Sequence, residues 1–105
     1  MRIDLPSDYI AYLEREGLAE GFTEGPPGYF ALWRPDEIEA SNRELQVETY
    51  APGFLGFGTD GGGELLAFDE SGAVFMLPMI GMEPQYANRI ADSWREVAQR
   101  IDRHV

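Results

Sequence analysis

The segment that most resembles a chemical motif is rich in glycine: Gly56–Gly61 reads GFGTDG and fits the pattern G-x-G-x-x-G. A dinucleotide site needs this pattern between a strand and a helix, where amides at the helix N-terminus hold the pyrophosphate. Here the apolar run Leu65–Phe68 follows, which predicts a strand. The kinase form of the pattern lies on a hairpin but requires a lysine, and the chain contains none. The sequence therefore favours a glycine-rich hairpin turn over a nucleotide site.

Groups for metal binding and nucleophilic catalysis are scarce. The chain has no cysteine, and its single histidine, His104, is next to the last residue, so neither a zinc site nor an activated serine is expected. Acids near the predicted turns do not have the spacing of a calcium-binding loop, and we interpret them as turn formers and solvated groups: Asp60, Glu64, Asp69 and Glu70. No carboxylate pair is marked out for acid–base catalysis. We therefore predict no catalytic residues, no cofactor and no metal.

Charge is the strongest feature of the composition. Nineteen acidic residues against eight arginines and no lysine give a net charge of −11. The segment before Arg89 carries a charge of −12, and the segment from Arg89 onward carries +1. Such a charge repels nucleic acid and anionic lipid, and it attracts cationic partners. It is consistent with solubility alone; the sharper alternative is that the acids of residues 36–48 form half of an electrostatic interface. We predict a protein partner, and no binding to nucleic acid or membrane.

Length and hydropathy predict one domain over residues 1–105. At 105 residues the chain is long enough to bury a core without disulfides. It has no apolar run of membrane-spanning length, and its first residues lack the apolar region of a secretory signal. Together with the absence of cysteine, these features predict a cytoplasmic protein.

The elements that must position these residues centre on a three-stranded antiparallel meander. Apolar runs at 54–57, 65–68 and 74–77 are separated by two turn clusters, 59–63 and 69–72, that combine Gly with Asp or Ser. Before the meander we predict a helix from Ser7 to Gly17, a loop over 18–28, a strand over 28–33 and a helix over 35–44. Residues 45–52 fit a strand or a helix, and 86–91 fit an edge strand.

The last helix has the clearest start, because Ser93–Glu96 fits the capping box S-x-x-E. The buried positions predicted for it are Trp94, Val97, Ala98 and Ile101, and those for the first helix are Tyr9, Ile10 and Leu13, with Tyr12 at the margin. This order of elements predicts an α+β fold: an antiparallel sheet with a central meander and helices packed against it. Trp33 and Trp94 fit the core, the alternative being an edge at a binding face.

The chain resembles the SUKH superfamily, specifically its Smi/Knr-type branch, over nearly its whole length. The glycine turn with its flanking acids is the most specific part of the resemblance. The residues that carry it are Leu5-Pro6-x-Asp8-Tyr9, Leu32-Trp33-x-x-x-Glu37-Ile38, Gly58-Thr59-Asp60-Gly61-Gly62-Gly63-Glu64 followed by Ala67-Phe68-Asp69, and Ala91-Asp92-Ser93-Trp94-Arg95-Glu96-Val97.

The resemblance implies an α+β fold without a cofactor. Many bacterial members are immunity proteins that bind and neutralise polymorphic toxins, often nucleases, and fungal relatives are regulatory scaffolds in cell-wall assembly. Two departures are expected to remove or reshape a partner surface. The chain begins at the Leu5-Pro6 step without the extra N-terminal helix of many members, and the 21–28 loop lacks their asparagine-glycine stretch.

The leading hypothesis is thus an immunity-type protein whose acidic surface meets a cationic toxin domain. The alternative is a regulatory scaffold that recruits a cellular protein through apolar contacts of the Met79–Pro84 loop. That loop is expected to fold back onto the core, unless its methionines adapt to a partner. The candidate partner-binding residues are Glu37, Asp60, Glu64, Asp69, Met79 and Met82.

Overall fold

The computed structural model describes residues 4–102, in which the chain forms one six-stranded antiparallel sheet with helices packed on it. The strands are β1 (Glu20–Phe22), β2 (Tyr29–Leu32), β3 (Leu55–Thr59), β4 (Glu64–Phe68), β5 (Val74–Pro78) and β6 (Asn88–Ala91). The helices are α1 (Ser7–Arg15), α2 (Pro35–Leu45), α3 (Val47–Tyr50) and α4 (Trp94–Ala98). This architecture confirms the predicted α+β fold. The histidine considered above, His104, lies outside the described residues.

The predicted meander is the centre of the sheet. Strands β3, β4 and β5 lie where the apolar runs predicted them, and each strand of the sheet pairs with its chain neighbour, in the order β1-β2-β3-β4-β5-β6. Both tight turns contain a glycine at positive φ, Gly61 at 76° and Gly72 at 86°. Of the two less certain segments, 45–52 contains the short helix α3 and 86–91 contains the edge strand β6.

Two predictions at the edge of the sheet are wrong. The predicted loop 18–28 contains β1, and α4 ends at Ala98, before Ile101. Thr23 instead pairs with Ile101 as an isolated bridge, and the backbone N–H of Asp102 donates to the carbonyl of Phe22 at 2.8 Å. The end of the described chain therefore lies along the outer edge of β1. Local patterns give no sign of a pairing partner so distant in sequence.

Arg100 links the two outer strands of the sheet. Its guanidinium donates to the Pro26 carbonyl in the β1–β2 turn and to the Ile90 carbonyl of β6, both at 2.9 Å. Glu96 lies 3.6 Å away as its ion-pair partner. Edge strands present unpaired backbone groups that invite association. Arg100 therefore occupies part of the edge at β6, and the pairing of Ile101 with Thr23 occupies part of the edge at β1.

Strand β4 is buried on both faces and divides the interior into two cores. Leu66 and Phe68 point into a core rich in aromatic residues, which we call the aromatic core, while Leu65 and Ala67 point into a second core. Successive side chains of a strand alternate between faces, so one strand serves both cores. Helices α1 and α4 contribute to the aromatic core, and α3 covers the second core through Val47.

Trp94 lies at the middle of the aromatic core and is 1% exposed, as predicted. Its indole makes edge-to-face contacts with four rings at centroid distances of 5.0–5.9 Å: Tyr9, Tyr12, Phe30 and Phe57. This geometry corrects the predicted stripe of α1, because Tyr12 is buried whereas Ile10 is 43% exposed. Trp33 is half-buried and contacts both cores.

The register of β3 is irregular at Phe57, where β3 contains one residue more than the paired part of β4. Next to this bulge, the side chain of Asn42 in α2 takes the place of a neighbouring strand. Its Oδ1 accepts from the N–H of Gly56 at 2.7 Å, and its Nδ2 donates to the Gly56 carbonyl at 2.8 Å. Buried backbone groups need partners, so Asn42 satisfies two groups that β2 does not reach. No sequence pattern indicated this role of Asn42.

We predict that Gly58→Ala destabilises the fold. A Cβ at Gly58 would lie 2.5 Å from the Ala31 carbonyl oxygen and 3.1 Å from Leu32 Cα, so strands β2 and β3 would have to separate. Overpacking of this kind costs about 1–3 kcal/mol, to be measured as the free energy of unfolding in urea. The matched control is Gly62→Ala, whose Cβ would contact only the Asp60 carboxylate at 3.5 Å or more. Equal losses in the two variants would contradict the prediction.

A second prediction concerns Tyr9, whose buried hydroxyl has no hydrogen-bond partner among the described residues. Burial, with a smaller contribution from Tyr12, raises the pKa of Tyr9. Since the folded-state pKa exceeds the unfolded value of about 10, stability is retained below that pH and is lost as the pH rises above it. We expect Tyr9→Phe to be as stable as the parent near neutral pH, and to lose less stability in alkali.

Urea unfolding at neutral and alkaline pH tests this expectation. The contrasting variant is Tyr12→Phe, because the Tyr12 hydroxyl donates to the Leu18 carbonyl at 2.7 Å. Loss of that bond should cost about 1 kcal/mol near neutral pH. An alkaline loss unchanged by Tyr9→Phe would show that the buried phenol is not its source.

Candidate functional site

Three of the six candidate residues lie at one end of the sheet. This end, which we call the glycine-turn end, contains the β3–β4 turn with Asp60 and the first residue of β4, Glu64. Met79 lies there as well, because Glu64 pairs with Pro78 and the N–H of Met79 donates to the Gly63 carbonyl at 3.0 Å. The structure therefore brings Asp60, Glu64 and Met79 to a common region.

The other three candidates are elsewhere. Asp69 follows β4 at the opposite end of the sheet, and Glu37 lies in the first turn of α2, where its carboxylate accepts from the N–H of Arg34 at 3.1 Å. Met82 is 5% exposed and packs in the second core. As a candidate contact residue Met82 is corrected to a core residue, since its loop folds back as the sequence favoured. The exposed large apolar side chain of that loop is Ile80, at 94%.

The two turn aspartates have structural roles of the same kind. Oδ1 of Asp60 accepts from the backbone N–H groups of Gly62 and Glu64 at 2.8 and 3.0 Å. Oδ1 of Asp69 accepts from the N–H groups of Ser71 and Ala73 at 2.9 and 3.1 Å. Each carboxylate thereby holds its turn closed, as Asp side chains commonly do. One oxygen of each carboxylate is used in this way, while the negative charge remains at the surface.

The glycines of the G-x-G-x-x-G pattern are explained by packing. Cβ atoms at Gly56 and Gly58 would meet Leu65 and the backbone of β2, and Gly61 needs a positive φ. The segment that follows is strand β4, not a helix. The helix N-terminus that would hold a pyrophosphate is therefore missing from this position.

The sequence analysis did not identify a pair of aromatic side chains, Phe22 and Tyr29, that lies beside the β3–β4 turn. Phe22 of β1 is 64% exposed, and its ring lies 5.3 Å from that of Tyr29 in β2. The Tyr29 hydroxyl donates to Oε2 of Glu20 at 2.9 Å, and a Cβ at Gly61 would lie 3.1 Å from the Tyr29 ring. Hydrogen bonding to the Glu20 carboxylate, together with desolvation, raises the pKa of Tyr29.

These residues form a continuous surface, the aromatic–acidic surface, composed of Glu20, Phe22, Tyr29 and the turn at Asp60. Its side chains from β1 and β2 share one face, because Glu20 pairs with Ala31 and Phe22 with Tyr29. Glu64 belongs to the opposite face, since it alternates with Leu65 along β4. The sequence signal for β1 was the alternation Glu20-Gly21-Phe22, and the glycine at its centre made this signal weak.

Within residues 4–102, the acidic side chains at the glycine-turn end have no ion-pair partner. None of the ion pairs formed within residues 4–102 involves Glu20, Asp60 or Glu64. The arginines nearest in sequence, Arg15 and Arg34, lie on α1 and before α2, and Arg34 pairs with Asp36 and Glu37. The surface therefore combines negative charge with exposed aromatic area.

An acidic depression with a volume of about 340 Å³ lies at the other end of the sheet, away from the glycine-turn end. Its acidic lining residues are Asp4, Asp8, Glu70 and Asp92. Two of them serve the fold, because Asp8 accepts from the N–H of Arg95 at 2.9 Å and Asp92 pairs with Arg89 at 2.7 Å. Asp8 thereby supports the start of α4 from a distant helix. We regard this depression as mainly structural.

The cap of α4 is a variation on the predicted box. The Ser93 hydroxyl accepts from the N–H of Glu96 at 3.3 Å, but the Glu96 carboxylate accepts from the N–H of Asp92 rather than of Ser93, at 2.9 Å. Among the described residues no cluster of three or more acidic or histidine side chains is arranged to hold a metal ion. No helix in the same part of the chain is long and apolar enough to cross a membrane.

Comparison with known proteins was informative at the level of the family. Residues 1–100 match the family described as SMI1 / KNR4 family (SUKH-1). The match includes every strand and helix described above. No individual curated protein shows a significant match to the chain.

We predict that the turn-forming and electrostatic roles of Asp60 separate by substitution. Asp60→Asn retains an acceptor oxygen for the N–H groups of Gly62 and Glu64, whereas Asp60→Ala removes it. Asp60→Ala should lower the free energy of unfolding by about 1 kcal/mol, and Asp60→Asn by clearly less, measured in urea. Glu64→Gln is the control, because no turn hydrogen bond among the described residues uses its side chain. If Asn and Ala are equally destabilising, the acceptor geometry is not what Asp60 contributes.

Proposed function

Because the chain belongs to the SMI1 / KNR4 family (SUKH-1), which contains immunity-type and related modules and is generally non-catalytic, we propose that it is a non-catalytic protein-binding module of the immunity type. Its partner in this proposal is a cationic toxin domain, which it neutralises by direct contact. The observation that carries the proposal is the negative charge at the glycine-turn end, which has no ion-pair partner within residues 4–102.

Electrostatics favour a cationic partner. With a net charge of −11, the protein produces a field that raises the rate of encounter with positively charged proteins. Exposed ion pairs such as Arg43–Glu39, with 73% and 79% of the side chains exposed, contribute little to stability. Acidic side chains in such exposed pairs are therefore not needed for folding and are available for association.

The chemistry of a nuclease makes it a suitable target class. A nuclease must carry clustered Lys and Arg to hold the phosphates of its substrate. An acidic protein that occupies this cationic surface competes directly with the substrate, without any catalysis of its own. Asp60 and Asp69 both present charge from rigid turns, which limits the entropy lost on binding.

A second candidate function is a regulatory scaffold that recruits a cellular protein through apolar contacts. The observation that favours it is Ile80, which is 94% exposed in the loop after β5. Apolar association depends little on salt, whereas charge-driven association weakens as the Debye length shrinks. Salt dependence therefore distinguishes the two functions, and Ile80→Asp tests the scaffold surface without disturbing the buried Met82.

We predict that this protein binds and inactivates a toxin domain encoded by the neighbouring gene. Association, measured by stopped-flow fluorescence, should slow by about tenfold or more between 0.05 and 0.5 M salt. At low salt, the combined variant Glu20→Gln, Asp60→Asn and Glu64→Gln should associate with the toxin domain more slowly than the parent protein does. The matched control is Glu39→Gln, which removes an exposed charge already paired with Arg43.

Three results would contradict the immunity proposal. One is a genomic context without a toxin-like gene, and another is an affinity that does not change with salt. The third is toxicity that persists when this protein is co-expressed at an equal level. A binding loss confined to Ile80→Asp would favour the scaffold instead.

A further inference from the structure

We infer that the aromatic–acidic surface binds an arginine side chain of the partner protein. This inference rests on the proposed function and names the contact that would anchor it. It starts from Phe22, which leaves 64% of its surface exposed although it lies in a strand of the main sheet. Burying such an apolar side chain is favourable, so its exposure is unfavourable for the isolated protein.

The exposed ring is held in place from both sides. Phe22 pairs with Tyr29 of β2, and its carbonyl accepts from the N–H of Asp102 at 2.8 Å. The following residue, Thr23, forms the bridge to Ile101. A ring on such a backbone cannot turn inward, because the inner face of β1 is already filled where Gly21 meets the Phe30 ring. The surface is therefore preformed for a ligand.

The carboxylate beside the rings is also oriented. Oε2 of Glu20 accepts from the Tyr29 hydroxyl at 2.9 Å, which fixes the carboxylate next to the aromatic pair. Its other oxygen, Oε1, takes part in no hydrogen bond or ion pair within residues 4–102. Tyr29 in turn contacts Gly61, so the Asp60 turn adds a second negative charge at the margin.

This combination fits a guanidinium better than other groups. A planar cation gains from the face of an aromatic ring and, at the same time, donates paired hydrogen bonds to a carboxylate. An ammonium supplies the charge but no plane to stack. A purely apolar partner group would desolvate Glu20 without compensation, which is costly, and an anion would be repelled. The chemistry thus selects arginine.

The direct test is an amide NMR titration of the intact protein with a capped Gly-Arg-Gly peptide. The matched peptides carry citrulline, which keeps the shape without the charge, or lysine, which keeps the charge without the plane. We expect saturable shifts at residues 20–23, 29 and 61, with binding by the citrulline peptide weaker by about tenfold and by the lysine peptide by about threefold.

Variants of the protein locate the contact. Phe22→Leu keeps an apolar side chain but removes the ring face, and Glu20→Gln removes the charge; each should weaken binding of the arginine peptide by about threefold or more. Glu44→Gln, on the exposed part of α2, is the control and should have no effect. Any of three results would overturn the inference: shifts that spread equally over all acidic regions, a titration that does not saturate, or a citrulline peptide that binds as well as the arginine peptide.

The same variants separate this inference from the proposed function. If the toxin domain binds the parent and the Phe22→Leu variant equally well, the arginine contact is wrong while the immunity function stands. If the arginine peptide binds as expected but the neighbouring toxin domain does not bind, the surface is retained and the immunity function is rejected.

Discussion

Burial of β4 on both of its faces is the constraint on which the rest of the structure depends. Leu65, Leu66, Ala67 and Phe68 are all buried, so apolar layers must cover the sheet from both sides. The aromatic core on one face is closed by α1 and α4, whose Tyr9 and Trp94 contact each other edge to face at 5.2 Å. On the other face, α3 and the last residue of α2, Leu45, pack on the second core, to which β1 and β2 contribute no side chain. Phe22 and Tyr29 lie outside that core.

Close approach of the strands around β3 explains why this region is rich in glycine. A side chain at Gly58 would collide with the backbone of β2, and one at Gly56 would collide with Leu65. Asn42 then supplies hydrogen bonds at the bulge, where the neighbouring strand has ended. A pattern that resembles a phosphate-binding loop thus arises from packing requirements in an antiparallel sheet. The G-x-G-x-x-G pattern has a different structural role here, because a strand and not a helix follows it.

Acidic side chains in this protein have two separable roles. Some act locally, as Asp60 and Asp69 do in closing turns and Asp8 does in supporting the start of α4. Others, such as Glu20 and Glu64, are outside the ion pairs of the described residues, although Glu20 accepts a hydrogen bond from the Tyr29 hydroxyl. A protein that folds without lysine leaves much of its negative charge unneutralised, at some cost in self-repulsion. The cationic partner that we propose would make use of this charge distribution.

The sequence by itself determined what short-range patterns encode. The meander was predictable because its apolar runs and its Asp- and Gly-containing turns are adjacent, and membership in the family could be inferred from the same residues. It also determined the net charge and the absence of cysteine and lysine. What only the tertiary structure decided was pairing at long range: Thr23 with Ile101, Asp8 with Arg95 and Arg100 with Ile90. The first of these contacts adds an isolated bridge next to β1, and the burial of Tyr12 in place of Ile10 depends likewise on a distant partner, Trp94 of α4. No local propensity reports them, because each depends on a partner that the chain meets only when the sheet has formed.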